Sequence, residues 1–344
     1  MRTTQLSRQA VPPAKASQQV TMRAIVQDRY GTAPEDVLRL EQIAKPAVAA
    51  NEVLVQVRAA GVDRGTWHLM AGQPYVMRIL GFGFRGPKNP VPGLDVAGTV
   101  VAAGADVRRF RVGDEVFGIA RGSFAEYAAA REDKLTRKPA RLSSEQAAAV
   151  AVSGLAAIQG LRDAGRIQSG QKVLVIGASG GVGSYAVQLA KAFGADVTGV
   201  CSTAKADLVR SIGADHVIDY TREDFADGRR RYDLILDIGG NSPLRRLRRA
   251  LTPKGTLVIA GGEGGKWTGV GRQLRALMLS LLVRQRLTMY VSKHRQADLD
   301  ALSELTEAGQ VAPVIDRAYP LSEASAAIRC LVEGQARGKI VITI

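Results

Sequence analysis

The sequence predicts an α/β protein of two parts, an all-β barrel-like half followed by a doubly wound parallel sheet. Three observations carry this. Short strand-like runs separated by Gly and Pro occupy residues 22–141, and six β-rich runs with helical stretches between most of them occupy residues 172–291. A glycine turn, Gly177-Ala178-Ser179-Gly180-Gly181-Val182-Gly183, joins the first of those six runs to an amphipathic helix. With 344 residues, 46% of them hydrophobic and 23% charged, the chain is long and apolar enough for two cores, which excludes disorder throughout.

In chain order, residues 1–21 form a polar, Pro-, Ala- and Gln-rich leader, expected to be a disordered extension. The strand-like runs RAIVQ, EVLVQVRAAGV, VAGTVVAAG, DEVFGI and FAEYAAA then build a substrate-side domain over 22–141. At Leu142 the texture changes. Ser143 followed three residues later by Gln146 has the pattern of a capping box opening an alanine-rich helix, and a second helix is predicted over 154–163. A dinucleotide-binding domain is expected over 142–300, its sheet built from KVLVIG, DVTGV, HVIDY, YDLILDIG, TLVIAGG and RLTMYV, with VGSYAVQLAKAF and KADLVRSIG as crossover helices. Residues 301–344 return to strand character in VIDRAYPL and KIVITI around a helix at 322–333, and are expected to pack against the N-terminal half.

No run approaches the roughly 18 to 20 apolar residues of a membrane span, and the most apolar candidate, 274–283, contains Arg275. The leader lacks the apolar core of a signal peptide, so a cytoplasmic location is expected, with Cys201 and Cys330 reduced. Lys and Arg number 47 against 32 acidic residues, a net +15 that favours encounter with polyanions. The basic clusters Arg229-Arg230-Arg231 and Arg245, Arg246, Arg248 and Arg249 have no interleaved aromatics. They read as solvated helix faces in preference to a nucleic-acid site.

The glycine turn leaves a buried strand and enters a helix, so backbone N–H groups and the helix N-terminus meet a pyrophosphate while the last glycine lets helix pack on strand. Taken strictly the motif is AxGxxG, with Ala178 in the first glycine's place, and a plain strand-to-helix turn is the competing reading. An NAD site carries an acid at the end of the second strand to hold the ribose 2′-hydroxyl. Here that stretch reads Thr198 to Lys205 (TGVCSTAK) without a carboxylate, and its hydroxyls and lysine suit the 2′-phosphate of NADPH better than NADH. The alternative is that Ser202 only caps the next helix while Lys205 is solvated.

With these residues the chain resembles the medium-chain dehydrogenase/reductase superfamily, in its zinc-free quinone oxidoreductase-like branch. The resemblance runs through GVD at 61–63, PGLDVAGTV at 92–100, GDEVFG at 113–118, GASGGVG at 177–183, GADHVIDY at 213–220, LDIGG at 236–240 and RGKIVI at 337–342. It implies a GroES-like β-barrel made by the N-terminal part and the C-terminal tail, a Rossmann domain between them, a cofactor in the cleft, and a homodimer through Rossmann sheet edges. By the same resemblance Ser179, Gly180, Gly181 and Val182 line the pyrophosphate and nicotinamide, and Ser202, Lys205 and Tyr220 hold the 2′-phosphate end. Gly239, Ala260 and Gly261 flank the nicotinamide ribose and ring, Ser153 touches the ring, and Arg337 and Lys339 close over the cofactor from the tail. Zinc-dependent relatives place a cysteine where Asp63 stands and a His-Glu pair where Leu94-Asp95 stands. His68, His216 and His294 are far apart in sequence, so no metal site is expected.

Without a metal an isolated carbonyl lacks a Lewis acid, so a quinone or an α,β-unsaturated carbonyl is the expected hydride acceptor. For the proton that follows, the candidates are Asp63, His68 and Tyr75; the competing reading of His68 is a structural histidine hydrogen-bonded beside Trp67, and that of Asp63 is positioning of the nicotinamide ribose or a water. The apolar segment 73–91, with Tyr75, Met77, Phe82 and Phe84, reads either as a lid over a flat substrate or as a packed surface loop, and Trp267 is a candidate wall. Two other functions stay open: a zinc-free alcohol dehydrogenase or ketone reductase, and a non-enzymatic cofactor- or RNA-binding protein.

Overall fold

A computed structural model describes residues 20–260 and 271–344; Gly261 and Trp267 lie outside the described residues. The strands are β1 Thr21–Val26, β2 Arg39–Ala44, β3 Glu52–Val62, β4 Asp95–Ala103, β5 Glu115–Ile119, β6 Tyr127–Arg131, β7 Leu135–Arg137, β8 Lys172–Ile176, β9 Asp196–Cys201, β10 His216–Asp219, β11 Tyr232–Asp237, β12 Leu251–Ile259, β13 Arg286–Met289, β14 Ile315–Pro320 and β15 Lys339–Thr343. The helices are α1 Pro34–Val37, α2 Arg64–Ala71, α3 Ser144–Ala148, α4 Ala151–Gln159, α5 Gly181–Ala192, α6 Ala206–Ser211, α7 Leu244–Ala250, α8 Gly271–Ser280, α9 Gln296–Glu307 and α10 Ala324–Val332.

The first half and the tail share one sheet. Its order is β14-β15-β3-β4-β5-β7, with β6 also on β3, so the last strand of the chain lies against the long third one. Val53, Val55 and Val57 on alternate positions of β3 point into a core with Val96, Val100, Val116 and Leu135, the period-2 pattern of a strand with one wet face. Toward its end β3 is buried without alternation, because β15 pairs antiparallel with it from Ala59 to Val62 and helices cover it.

The second sheet has six parallel strands in the order β10-β9-β8-β11-β12-β13. Successive residues of β8 enter opposite cores, Val173 and Val175 one and Leu174 and Ile176 the other, which is why this strand reads as an unbroken apolar run. The strand order reverses between β8 and β11, and in a doubly wound sheet the carboxyl ends of the strands at such a reversal are where a binding crevice forms.

Between the sheets the capping box predicted at 143–146 is present: Ser143 Oγ accepts from the Gln146 amide at 3.2 Å, and Gln146 Oε1 accepts from the Ser143 amide at 3.0 Å. The helix predicted over 154–163 starts earlier, at Ala151, and its last part, Gly160–Ala164, is a π-helical turn.

The junction of barrel, tail and helices is an ion pair. Lys339 of β15, 1% exposed, donates to Asp95 Oδ2 of β4 at 2.8 Å, and Asp95 Oδ1 accepts from the Val152 amide of α4 at 2.6 Å. Beside it Asp63 is the N-cap of α2, its Oδ1 accepting from the Thr66 amide at 2.8 Å. Burial pushes the Asp63 carboxyl up to about 6, with the Lys339 charge pulling it down and the Asp95 charge pushing it further up.

Two outcomes follow. Lys339→Met leaves the Asp95 charge buried and alone, so chemical unfolding is expected to show a loss of about 3–5 kcal/mol; a loss under about 1 kcal/mol would contradict this pair's role. The raised Asp63 carboxyl binds its proton more tightly folded than unfolded, so its contribution to stability is complete below pH ~4 and is lost as pH rises through about 6. Parent stability is therefore expected to fall relative to Asp63→Asn between pH 4.5 and 7.5, and a difference constant over that range would contradict it.

Candidate cofactor cleft

Gly177 turns the chain out of β8 at φ +86°, a conformation that a side chain disfavours. The Gly177 and Ala178 amides donate to Val200 O of β9 at 3.2 and 3.1 Å, which anchors the turn to the neighbouring strand. Gly180 is the N-cap of α5 and offers no side-chain cap, so the first-turn amides of the helix face the crevice with no acceptor from the cap. A Cβ on Gly183 would lie 2.1 Å from Gly177 O; helix and turn touch backbone to backbone.

The predicted pyrophosphate and nicotinamide residues converge on this turn. A Cβ on Gly181 would meet Lys339 Cδ at 3.0 Å and Ser153 Oγ at 3.1 Å, so helix α4, the turn and the tail strand come within one side-chain width. The tail is strapped across it: Gly338 N donates to Ser179 O at 2.9 Å, and Gly180 and Gly338 form a single parallel bridge. Val182 packs partly buried against the main core. Gly239 lies alongside, its amide 3.2 Å from where a Gly177 Cβ would stand, and the Ala260 amide donates to Asp237 O at 2.9 Å. Gly177, Gly239 and Ala260 thus follow the carboxyl ends of β8, β11 and β12 side by side.

At the other end of the crevice, the Tyr220 amide donates to Cys201 O at 3.1 Å, which sets Tyr220 after β10 beside Ser202 after β9, and its side chain is exposed. Ser202 makes no side-chain capping bond to the turn that follows it. Lys205 Nζ donates to Gly334 O at 2.9 Å and Ala336 O at 2.7 Å, tying this end to the tail. Its ammonium is held below the usual lysine range by burial and then by the nearby Arg337 charge. An acid that the sequence reading did not single out, Asp219, stands at the end of β10. The Thr203 and Thr221 hydroxyls donate to its carboxylate and hold it below the usual carboxylate range.

On the substrate side the structure separates the three proton candidates. Asp63 is 6% exposed and committed to its helix cap. His68 is half-buried on α2; its Nδ1 lies 2.9 Å from Gln73 O and its ring meets Trp67 edge-on at 5.0 Å. Tyr75 lies on the loop beyond, 4.7 Å from the Arg78 guanidinium, which also covers the Tyr30 ring at 4.4 Å. Arg78 donates to Gly72 O and Tyr30 to Gly83 O, so segment 73–91 is pinned at these points while Ile79 and Phe84 stay exposed.

Two further residues had not been singled out as site candidates. Asp95 is the buried partner of Lys339, 244 positions away in sequence, a separation at which no local pattern signals a contact. His294 follows β13, with Lys134 Nζ on its carbonyl at 2.8 Å and its neighbour Lys293 held by the Gln159 amide. Burial lowers the His294 imidazole; the Asp95 charge opposes that shift, and Lys134 and Arg121 reinforce it. Its place after the carboxyl end of a parallel strand was the available signal. Among the described residues, no group of three or more His, Cys, Asp or Glu is arranged to hold a metal ion; Asp95 is engaged in an ion pair, and Asp63 caps a helix through Oδ1 while its buried Oδ2 has no hydrogen-bond partner among the described residues.

Two family profiles match the chain, one described as the alcohol dehydrogenase GroES-like domain over residues 49–140 and one as zinc-binding dehydrogenase over residues 212–342. The chain is 33% identical over 368 residues to the mitochondrial NAD(P)H oxidoreductase RTN4IP1 of Mus musculus, covering 96% of this chain and 91% of that one. It is 34% identical over 339 residues to the 2-methylene-furan-3-one reductase of Solanum lycopersicum, covering 93% and 79%. The solved quinone oxidoreductase from Coxiella burnetii superposes with a TM-score of 0.84 at 29% identity, over 94% of this chain and 100% of that one. The chain therefore belongs to the medium-chain dehydrogenase/reductase superfamily, as a quinone oxidoreductase-like, NAD(P)H-dependent oxidoreductase.

Proposed function

We propose that the chain reduces quinones or α,β-unsaturated carbonyls with NADPH and without zinc. The observation that supports this best is the engagement of the two carboxylates at the positions where zinc-dependent relatives carry ligands. Asp63 Oδ1 caps a helix and both Asp95 oxygens are taken, by Lys339 and the Val152 amide, while Gly181, Ser153 and Lys339 crowd together beside the glycine turn. A reduced nicotinamide supplies the hydride when bound. The chain's own residues orient and shield it: the backbone of Gly177, Gly239 and Ala260 forms one wall, and Ser153 Oγ comes within reach of the turn. A conjugated acceptor spreads the incoming charge over its own π-system, so alignment and exclusion of water are the main demands on the protein. For the proton, His68 with Nδ1 donating to Gln73 O presents Nε2 as the exchanging nitrogen, and Tyr75 offers its hydroxyl from the adjoining loop. The relatives support the acceptor class, since one is a quinone oxidoreductase and another a 2-methylene-furan-3-one reductase.

The preference for NADPH is supported by Lys205, Arg337 and the Ser202 hydroxyl at the end of β9 and the tail, and by the engagement of Asp219, the acid at the end of β10, by two threonines. The same proposal includes a cytoplasmic location and a homodimer through the β13 edge, which is unpaired in the sheet; Leu281 and Leu282 beside it are 80% and 83% exposed. Among the described residues, no helix is long and apolar enough to cross a membrane.

Fluorescence titration is expected to show NADPH binding at least tenfold tighter than NADH, with Lys205→Ala narrowing the gap; equal affinities in the parent would overturn the cofactor choice. Steady-state assays should show NADPH oxidation by a quinone and an enone at rates well above those with a simple ketone. Turnover of the ketone alone would replace the proposal with a zinc-free ketone reductase.

A further inference from the structure

The arginines of α7 read in sequence as a solvated helix face. In the fold, Arg245, Arg248 and Arg249 line a depression of about 330 Å³ together with Val283, Arg284 and Gln285, which approach from the segment between α8 and β13. Four arginines from two segments of the chain therefore line one concavity. Arg248 is held in place there: its Nε donates to Gln285 Oε1 at 3.0 Å, and Gln285 Nε2 donates back to Arg248 O at 2.9 Å. Among the described residues, the one carboxylate paired with any of the four is Asp224, which Arg249 shares with Arg246 at 3.1 and 2.9 Å. Arg245, Arg248 and Arg284 make no ion pair among the described residues, so three positive charges share the depression uncompensated.

Such an arrangement is self-repelling until an anion enters, and the planar forks of arginine match phosphate oxygens in pairs. No aromatic ring lines the depression, so it offers no surface on which a base could stack and does not suit a nucleic-acid strand. Gln285 immediately precedes β13 and Pro253 lies near the start of β12, which puts the depression at the opposite end of the sheet from the glycine turn. We infer that this depression is a second anion site, distinct from the cofactor cleft, that takes a compact small molecule bearing two or more linked phosphates.

The test is calorimetric titration of the full chain with inorganic tripolyphosphate, after saturation with NADPH so that the glycine turn is occupied. One site per chain is expected, with Arg245→Ala and Arg284→Ala each raising Kd about tenfold, the size of one charge-assisted hydrogen bond. Arg229→Ala, which removes the same charge outside the depression, is expected to leave Kd within twofold. Equal weakening by Arg229→Ala, several weak sites per chain, or no binding once NADPH is present would each overturn the inference. Tighter binding of a short single-stranded RNA, lost in the same two variants, would overturn the ligand class.

Discussion

Lys339 and Asp95 meet almost entirely out of water, and the rest of the cleft is arranged around that contact. Removing both charges from solvent costs several kcal/mol per ion, and their attraction offsets this only where the remaining valences are met. The Val152 amide on the second Asp95 oxygen helps to meet them. The pair thereby joins three segments distant in sequence, the barrel at β4, the start of α4 and the final strand. A hydrophobic pair of similar volume could fill the same space but would not demand this register. Because Lys339 is set by Asp95, the residues before it are set too: Gly338 reaches Ser179, and the backbone from Gly334 to Ala336 reaches Lys205.

Both ends of the crevice are consequently under the control of the tail. At the glycine turn, the aliphatic part of Lys339 lies within one side-chain width of Gly181 and Ser153 shares that space, so a larger residue at 181 has no room. At the other end Lys205 gives two of its three donors to tail carbonyls, which orients its ammonium. Of the two carboxylates at the positions where metal-dependent relatives carry ligands, one caps a helix through Oδ1 and the other is the counter-ion of Lys339.

The fold was legible wherever burial is complete on one or both sides. The unbroken apolar run of β8, the alternation in the first part of β3 and the capping box at Ser143 each have one stable solution. β2 escaped notice because five of its six residues are exposed and it is held by pairing with β1, which leaves no hydrophobic pattern to read. The glycine turn was legible for the opposite reason, since close backbone packing tolerates no side chain at 183. What sequence could not reveal was partnership at long range: the occupation of Asp95 by Lys339, the engagement of Asp219 by Thr203 and Thr221, and the approach of Arg284 to the α7 arginines. The roles of His68 and Tyr75 were equally beyond local pattern, because each depends on where the loop after α2 is pinned.

The most direct measurement is a crystal structure of the chain grown with NADPH. The account requires the pyrophosphate against the amides of Gly180 to Val182 beneath the Gly338–Lys339 strap, with the Lys339–Asp95 pair intact and no metal ligated by Asp63. A nucleotide bound elsewhere with the turn empty, or Asp63 and Asp95 drawn apart around a metal ion, would contradict it.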